Sequence, residues 1–269
     1  MKLLQTGPSP RGWHRLQLMI ECPQKWAYRY KMELDQKTDS APLIKGSMMH
    51  LALAHHYMRI QAQQQGTDPD EWLAPWDALQ AICDQEGETW AVHLDNIGRC
   101  YEAYCLQWID EHFEVIAVEK MAYVKIGEHT FTGRFDLIYK DKQGKVWICD
   151  HKTTTRIQPA QKKFYGISGQ LIGYSYLGHQ IYGAAFGGMI LNQVQHKNPF
   201  KFNRIVLPPA PNLLRRFPEV VTDTEKRIAE LEASGRPFDE WPLAINELTC
   251  YSRYGPCTHL DRCKWGVGV

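Results

Sequence analysis

Trp13, Leu16, Ile20 and Ala27 recur at near-helical spacing, and Pro23 interrupts the run. Gly46 and Ser47 lie just ahead of the stretch MMHLALAHHYMRIQAQQQ, which places Ser47 as the expected N-cap of a helix. Gly66 to Pro69 is a break, and residues 70–112, rich in Trp, Ala, Glu and Gln, read as further helices. The pattern changes at Phe113. FEVIAVEKMAYVKIG, HTFTGRFDLIYK and KVWICDHKT are β-branched and aromatic runs, separated by turn signals at Gly127-Glu128 and Asp141-Lys142-Gln143-Gly144. Three antiparallel strands are expected there. A helix is expected from about Lys162 to Tyr182, then two strands in AAFGGMILNQV and FKFNRIVLP, then a helix from Pro211 to Ser234. The tail from Phe238 holds Pro, Trp and three cysteines and is expected to be irregular. The order predicts an α/β fold built on a mixed central sheet. Residues 1–112 form an N-terminal helical elaboration, 113–210 the core, and 211–269 a C-terminal helix and cysteine-rich segment, all within a single domain.

Composition narrows the functional classes. The chain has 269 residues, 31 basic and 30 acidic side chains, a net charge of +1, 44% hydrophobic and 23% charged residues. That balance excludes a disordered chain and a wholesale basic coat protein, but it permits a local basic groove offset by acid elsewhere. The longest apolar-leaning stretch, Ile181 to Leu191, is far short of the roughly 20 residues of a membrane span. The N-terminus carries no apolar block of the secretory type. A cytoplasmic protein is expected, in which cysteines serve as buried thiols or metal ligands rather than disulfides. No GxxxxGK[ST] motif is present, so an ATP-driven motor is not expected.

The most informative stretch is GRFDLIYKDKQGKVWICDHKTTT. Asp136 sits late in one expected strand, and Asp150 and Lys152 end the next. Residues two apart on a strand share a face, so Asp150 and Lys152 point the same way. The intervening turn lets Asp136 approach Asp150. Two converging carboxylates suit Mg²⁺ or Mn²⁺, and a neighbouring lysine can orient a water and stabilise developing negative charge. The competing reading is a surface acid and a solvated strand end, because a D…DxK match alone is degenerate. Further along, Gln170 and Tyr174, at i and i+4, share one helix face; the alternative there is a core tyrosine beside a surface glutamine. His50 begins a helix, where histidines are more often structural than ligating.

Cys250, Cys257 and Cys263 cluster in the tail, and Cys22 precedes Pro23 near the N-terminus. Four thiolates suit Zn²⁺ or an iron–sulfur cluster, and the spacing is not that of a zinc ribbon. Cys83, Cys100, Cys105 and Cys149 show no such pattern and read as buried small hydrophobes.

The ordered series ECPQKWAYRY, GSMMH, GRFDLIY, ICDHKTTT and QLIGY resembles the RecB-like branch of the PD-(D/E)XK nuclease superfamily, from about Arg11 to Cys263. The resemblance implies the restriction-endonuclease-like core of that superfamily. It implies that Asp136 and Asp150 bind the catalytic divalent metal with the main-chain carbonyl of His151, and that His50 is a further ligand. Lys152 would position or activate the attacking water, and Gln170 and Tyr174 would contact DNA and support the site. Glu119 falls where many relatives carry an acid, an exposed strand glutamate being the alternative. The one-plus-three cysteines resemble those of iron–sulfur nucleases, which include the AddB nuclease domain and the CRISPR-associated RecB-like exonucleases. That likeness implies a 4Fe–4S cluster held by Cys22, Cys250, Cys257 and Cys263, with Zn²⁺ as the alternative occupant.

A scissile phosphate needs cations nearby. Lys162 and Lys163 follow Lys152 and Arg156, and Phe164 and Tyr165 come next, a mixture suited to a single-stranded backbone with stacked bases. Lys25, Arg29 and Lys31 form a second patch, whereas Arg215-Arg216 and Lys226-Arg227 read as solvated helix faces. The expected activity is metal-dependent exonucleolytic hydrolysis of single-stranded DNA or duplex ends. Recombination, repair, phage replication or CRISPR adaptation would be the setting, with a helicase, recombinase or integrase partner. A structure-specific endonuclease and a non-catalytic DNA-binding adaptor are the alternatives.

Overall fold

In chain order the elements are α1 (Trp13–Glu21), α2 (Pro23–Tyr30), α3 (Ala41–Gln65), α4 (Pro75–Glu86), α5 (Glu88–Ala91) and α6 (Leu94–Gln107). These are followed by β1 (Glu114–Ile126), β2 (His129–Lys140), β3 (Val146–Thr154), α7 (Gln161–Gly166), α8 (Gly169–Tyr182), β4 (Phe186–Gln195), β5 (Lys201–Leu207) and α9 (Pro211–Ala233). The tail adds α10 (Glu247–Cys250), β6 (Tyr251–Ser252), β7 (Gly255–Pro256) and α11 (Leu260–Trp265). This computed structural model describes residues 3–4, 6–34, 40–208, 210–252 and 255–266.

The central sheet runs β1-β2-β3-β4-β5. The first three strands are antiparallel, β4 joins β3 in parallel, and β5 returns antiparallel. The parallel pairing follows from the α7–α8 crossover, since a tight hairpin can join only antiparallel neighbours. β4 is covered on both faces, and its FGGMILNQVQ is buried almost throughout. One face of the sheet packs under α1, α8 and α9 through Phe131, Phe135, Ile148, Leu177, Leu191 and Phe217. The other packs under α3, α4 and α6 through Met48, Met49, Leu53, Tyr57, Leu79 and Ile190. Adjacent residues divide between the two cores as the strand period requires: Ile148 from Cys149, and Ile190 from Leu191.

α8 lies close to the sheet because a glycine on each element makes room for side chains packed across the contact. A Cβ on Gly133 of β2 would come within 2.6 Å of Leu177, and one on Gly173 of α8 within 2.7 Å of Phe131. That close approach sets the depth at which Gln170 and Tyr174 enter the site described below.

The structure corrects three expectations. Ser47 is not an N-cap: α3 begins at Ala41 after Ser40, with Pro42 in its first turn. Gly46 lies inside the helix, where a Cβ would stand 3.1 Å from the Thr153 hydroxyl of β3. The stretch from Lys162 to Tyr182 is two helices, broken at Ile167 and Ser168. The tail is not irregular, since it folds into two short helices and a small hairpin. The interruption at Pro23 holds: Cys22 is extended and Pro23 starts α2. Of the cysteines read as buried hydrophobes, Cys83, Cys100 and Cys149 are buried, and Cys105 is half-buried. Among the described residues no helix is long and apolar enough to cross a membrane.

Phe131 is fully buried, meets Phe217 edge-on at 5.0 Å and lies against Gly173. Phe131→Ala is expected to cost roughly 3–5 kcal/mol, read as a lowered midpoint in chemical denaturation.

Candidate active site and cysteine centre

Pairing between β2 and β3 runs from Lys140↔Val146 to Leu137↔Cys149 and stops there. Asp136 and Asp150 are the next residues on the two strands, where the ladder has opened. The freed main-chain N–H of His151 donates to Asp136 Oδ2 at 2.7 Å. α3 brings His50 in from one face, with Nδ1 3.6 Å from the same oxygen. β1 adds Glu119, a non-glycine residue in the left-handed region (φ 48°) that interrupts an otherwise extended strand. One ligand atom from each of His50, Glu119 and Asp136 lies within 4.8 Å of the others.

Asp150 belongs to a second chain of contacts on the α8 side. Lys152 Nζ lies 2.8 Å from Asp150 Oδ2 and donates to Gln170 Oε1 at 3.0 Å. Gln170 Nε2 donates to the Tyr174 hydroxyl at 3.3 Å. The Tyr174 ring stands edge-on to Phe135 at 5.1 Å. The Lys152–Asp150 contact is close as an ion pair but off the hydrogen-bonding direction, so buried Asp150 Oδ2 has no aligned donor.

Electrostatics match a site built for a cation. Burial, with the nearby Asp136 charge, pushes the Glu119 carboxyl up to about 8 against the pull of Arg134. Burial also raises Asp136; His50 and Lys152 oppose the shift and Asp150 adds to it. Burial works against the Lys152 charge, but Asp150 and Asp136 more than offset it and the ammonium is favoured. Packing so many acids together is unfavourable unless positive charge joins them. The unsatisfied Asp150 oxygen, the strained approach of Glu119 and the carboxylate–imidazole donor set therefore fit a divalent cation.

The His151 side chain turns away from Asp150 and Lys152 toward α3, its ring 5.8 Å from that of His50. Burial pushes its imidazole well below the usual range, with His50 and Lys152 adding to the effect, so it is neutral. It stacks on Tyr57 at 6.0 Å, and its Nδ1 lies 2.8 Å from the Asn192 amide nitrogen. Asn192 also donates to the Tyr104 hydroxyl at 3.1 Å. Arg204 Nη2 donates to Tyr57 and Tyr104 at 3.1 and 2.7 Å, and Arg204 pairs with Glu111. Sequence reasoning missed this layer. Its members lie on five elements and loops, and the only local hint was the spacing of His50 and Tyr57, two helical turns apart on α3.

The four cysteines of the one-plus-three pattern meet at the opposite end of α1. Cys22, Cys250, Cys257 and Cys263 line one cavity of about 700 Å³ with Tyr28 and His259. Cys257 N–H donates to the Cys250 carbonyl at 2.9 Å, closing the small hairpin. Burial raises the Cys263 thiol, and Cys22, Cys257 and Cys250 add to that shift, which places all four within electrostatic reach. Among the described residues no three of these thiols converge within 4.8 Å. Gln24 ties this end together without any metal: its N–H donates to the Pro242 carbonyl at 3.1 Å, and its side chain to that of Phe238 at 2.7 Å. Trp26 stacks on Trp241 at 5.6 Å.

The basic patches divide. Lys162 and Lys163 are exposed on α7 and line a cavity with Leu171 and Leu207, whereas Lys31 pairs with Glu232 at 2.5 Å and Lys25 lines the cysteine cavity. Arg216–Glu219 and Lys226–Glu230 are solvated pairs along α9, as expected.

A family profile for the PD-(D/E)XK nuclease superfamily matches residues 13–264. The chain belongs to this superfamily. Nucleases of the PD-(D/E)XK superfamily use divalent metals, in keeping with the donor set around Asp136. Among solved structures, the chain is similar to a candidate exonuclease from Eubacterium rectale, with 14% identity over 90% of this chain and 80% of that one and a TM-score of 0.49. It also matches the protein SSO0001, with 13% identity over 81% of this chain and 88% of that one and a TM-score of 0.32. No curated protein matches it.

Glu119 is expected to leave a pH signature in metal-free protein. An acid raised in the fold binds its proton there at pH values where the unfolded chain has lost it. Its contribution is therefore present below the ordinary glutamate value of 4.5 and is lost as pH rises toward about 8. In EDTA, the melting temperature of Glu119→Gln should climb relative to wild type across that window, and saturating Mn²⁺ should reverse the order at the alkaline end.

Proposed function

We propose that this chain is a metal-dependent deoxyribonuclease that hydrolyses phosphodiester bonds of single strands or duplex ends. The observation that carries the reading is the meeting of the His50–Glu119–Asp136 group with the Asp150–Lys152–Gln170–Tyr174 chain where β2 and β3 part. Asp136, Asp150 and His50, with the His151 carbonyl and Glu119, would hold the catalytic Mg²⁺ or Mn²⁺. A cation held there supplies Lewis-acid charge neutralisation at the scissile phosphate and favours ionisation of the attacking water.

The chain's own residues do the rest. Lys152 presents an ammonium beside Asp150, where it orients the water and stabilises negative charge on the phosphate oxygens. Gln170 fixes that ammonium through its carbonyl and Tyr174 through its amide, so one helix face aligns the cation and a phenol. The Asn192 contact fixes the His151 ring, and with it the peptide whose N–H holds Asp136. The preference for DNA ends rests on the likeness of the ordered motifs to the RecB-like branch. Recombination, repair, phage replication or CRISPR adaptation is the corresponding setting, beside a helicase, recombinase or integrase. The whole chain works as one nuclease unit, since α1 and α2 are tied to the tail through Gln24 and Trp26.

The four tail-and-N-terminal cysteines hold a 4Fe–4S cluster. Support comes from their shared cavity and their spread: a tetrahedral Zn²⁺ with bonds of about 2.3 Å needs sulfurs about 3.8 Å apart, whereas no three of these converge even within 4.8 Å.

Purified protein with Mn²⁺ is expected to digest end-labelled linear single strands and to spare a circular one. Asp150→Ala and Lys152→Ala should each lower the rate at least 10³-fold, on the order expected for removing a main electrostatic group, with melting temperatures retained. Cleavage by Asp150→Ala at the wild-type rate would overturn the mechanism, and cutting of the circle would make the enzyme an endonuclease. Anaerobically purified protein should be brown, with about four irons per chain; Cys257→Ser should bleach it. Colourless protein with stoichiometric zinc would refute the cluster.

A further inference from the structure

A second groove opens directly off the catalytic chain of contacts. Gln170 and Tyr174 line a cavity of about 570 Å³ whose other walls include Trp13 and His14 of α1, Phe164 of α7 and Ile167 of the α7–α8 turn. That volume lies within the range of pockets that enclose small organic groups. Phe164 is 57% and Ile167 73% exposed, so large apolar side chains stand in solvent beside a polar, charged centre. Trp13 is laid flat against α8 by Gly169, where a Cβ would come within 2.0 Å of the indole. A rigid indole on one side and an exposed phenyl on the other make a slot with aromatic walls.

The edges of the slot are suited to a polyanion with planar groups. Lys162 and Lys163 precede Phe164 on α7, are exposed and line an adjoining cavity that shares Tyr165 with the slot. The Ser168 side chain leaves the first N–H groups of α8 uncapped, and Ser168, Gly169 and Gln170 all border the groove. Burial, with Arg29 and Arg15 nearby, pushes His14 down to about 4, which leaves a neutral imidazole able to hydrogen-bond a base edge. At the far end Glu21, bonded to Gln17 at 2.7 Å, closes the groove to phosphate.

We infer that this groove binds an unpaired nucleotide of the strand being cut, its base stacked between Phe164 and Trp13 and its phosphate led toward Lys152. The inference rests on the nuclease reading for the identity of the strand and adds the basis of single-strand preference. A paired base has both faces occupied by its neighbours, whereas an unpaired base offers a free π-face. The slot therefore selects unpaired DNA by stacking, without reading sequence.

The test compares binding of a short oligothymidylate, an abasic strand of equal length and a blunt duplex, with Ca²⁺ in place of Mg²⁺. Wild type is expected to prefer the oligothymidylate over the abasic strand about ten-fold. Phe164→Ala should abolish that preference and leave duplex affinity unchanged, and Phe164→Trp should restore it. Equal discrimination by wild type and Phe164→Ala, or an equal loss on duplex and single strand, would overturn the groove. Cleavage of the same oligothymidylate with Mg²⁺ separates the two readings. Base-sensitive binding without cleavage leaves the groove and removes the nuclease, and cleavage without base-sensitive binding does the reverse.

Discussion

Asp136 and Asp150 must stand close together out of bulk water, and two like charges in that position repel. The surrounding architecture follows from containing that repulsion. β2 and β3 separate at this point, which frees the His151 N–H for Asp136. α3 is aimed so that His50 reaches the same carboxylate, and Lys152 is folded back on Asp150. Gln170 then has to sit where its carbonyl meets that ammonium, which requires α8 to lie tight on the sheet at Gly133 and Gly173. A bulkier residue at either glycine would lift α8 and loosen the Lys152–Gln170 contact without touching the acids.

Behind the acids, a second polar layer keeps the strand end rigid. His151 is neutral and buried, so it contributes shape and hydrogen bonding rather than charge. Asn192, Tyr104, Tyr57, Arg204 and Glu111 share their donors and acceptors within one network that crosses from α3 and α6 to β4 and β5. Buried polar groups so arranged are costly if any member is lost, because the remaining partners stay desolvated. The network thereby fixes the angle between the sheet and α3, and hence the reach of His50. The placement of His50 beside Asp136 thus depends on hydrogen bonding among residues that share the α3 side of the sheet with it.

Much of this was legible in the chain because the chemistry is local. Asp150 and Lys152 share a strand face, Gln170 and Tyr174 a helix face, and a short hairpin turn brings Asp136 alongside, so period and spacing suffice. What was not legible depends on events far apart. The role of Glu119 depends on a left-handed backbone that no residue preference suggests, since glutamate has no special tolerance for it. Arg204 and Glu111 look like ordinary surface charges until the edge strand is paired. Ser47 has the chemistry of an N-cap, but Pro42 starts the helix earlier and packing against Thr153 explains Gly46. The meeting of Cys22 with the tail was legible only through the resemblance, because nothing in local spacing connects the chain's ends.

α1 joins the parts that the sequence leaves separate. Its first residues, Trp13 and His14, form a wall of the groove beside Gln170, and the residue after its last turn is Cys22. Arg15 in its middle pairs with Glu225 of α9 at 2.5 Å, and Leu16 enters the sheet core. Only nine residues long, it is too short to be stable alone and takes its position from these contacts. Its two ends are therefore mechanically linked. Whatever pins Cys22 to the tail also sets the orientation of the indole in the groove. A displacement of Cys22 would then reach the groove beside Gln170 through α1 before it reached the acids, which are held by β2, β3 and α3 and do not rest on that helix.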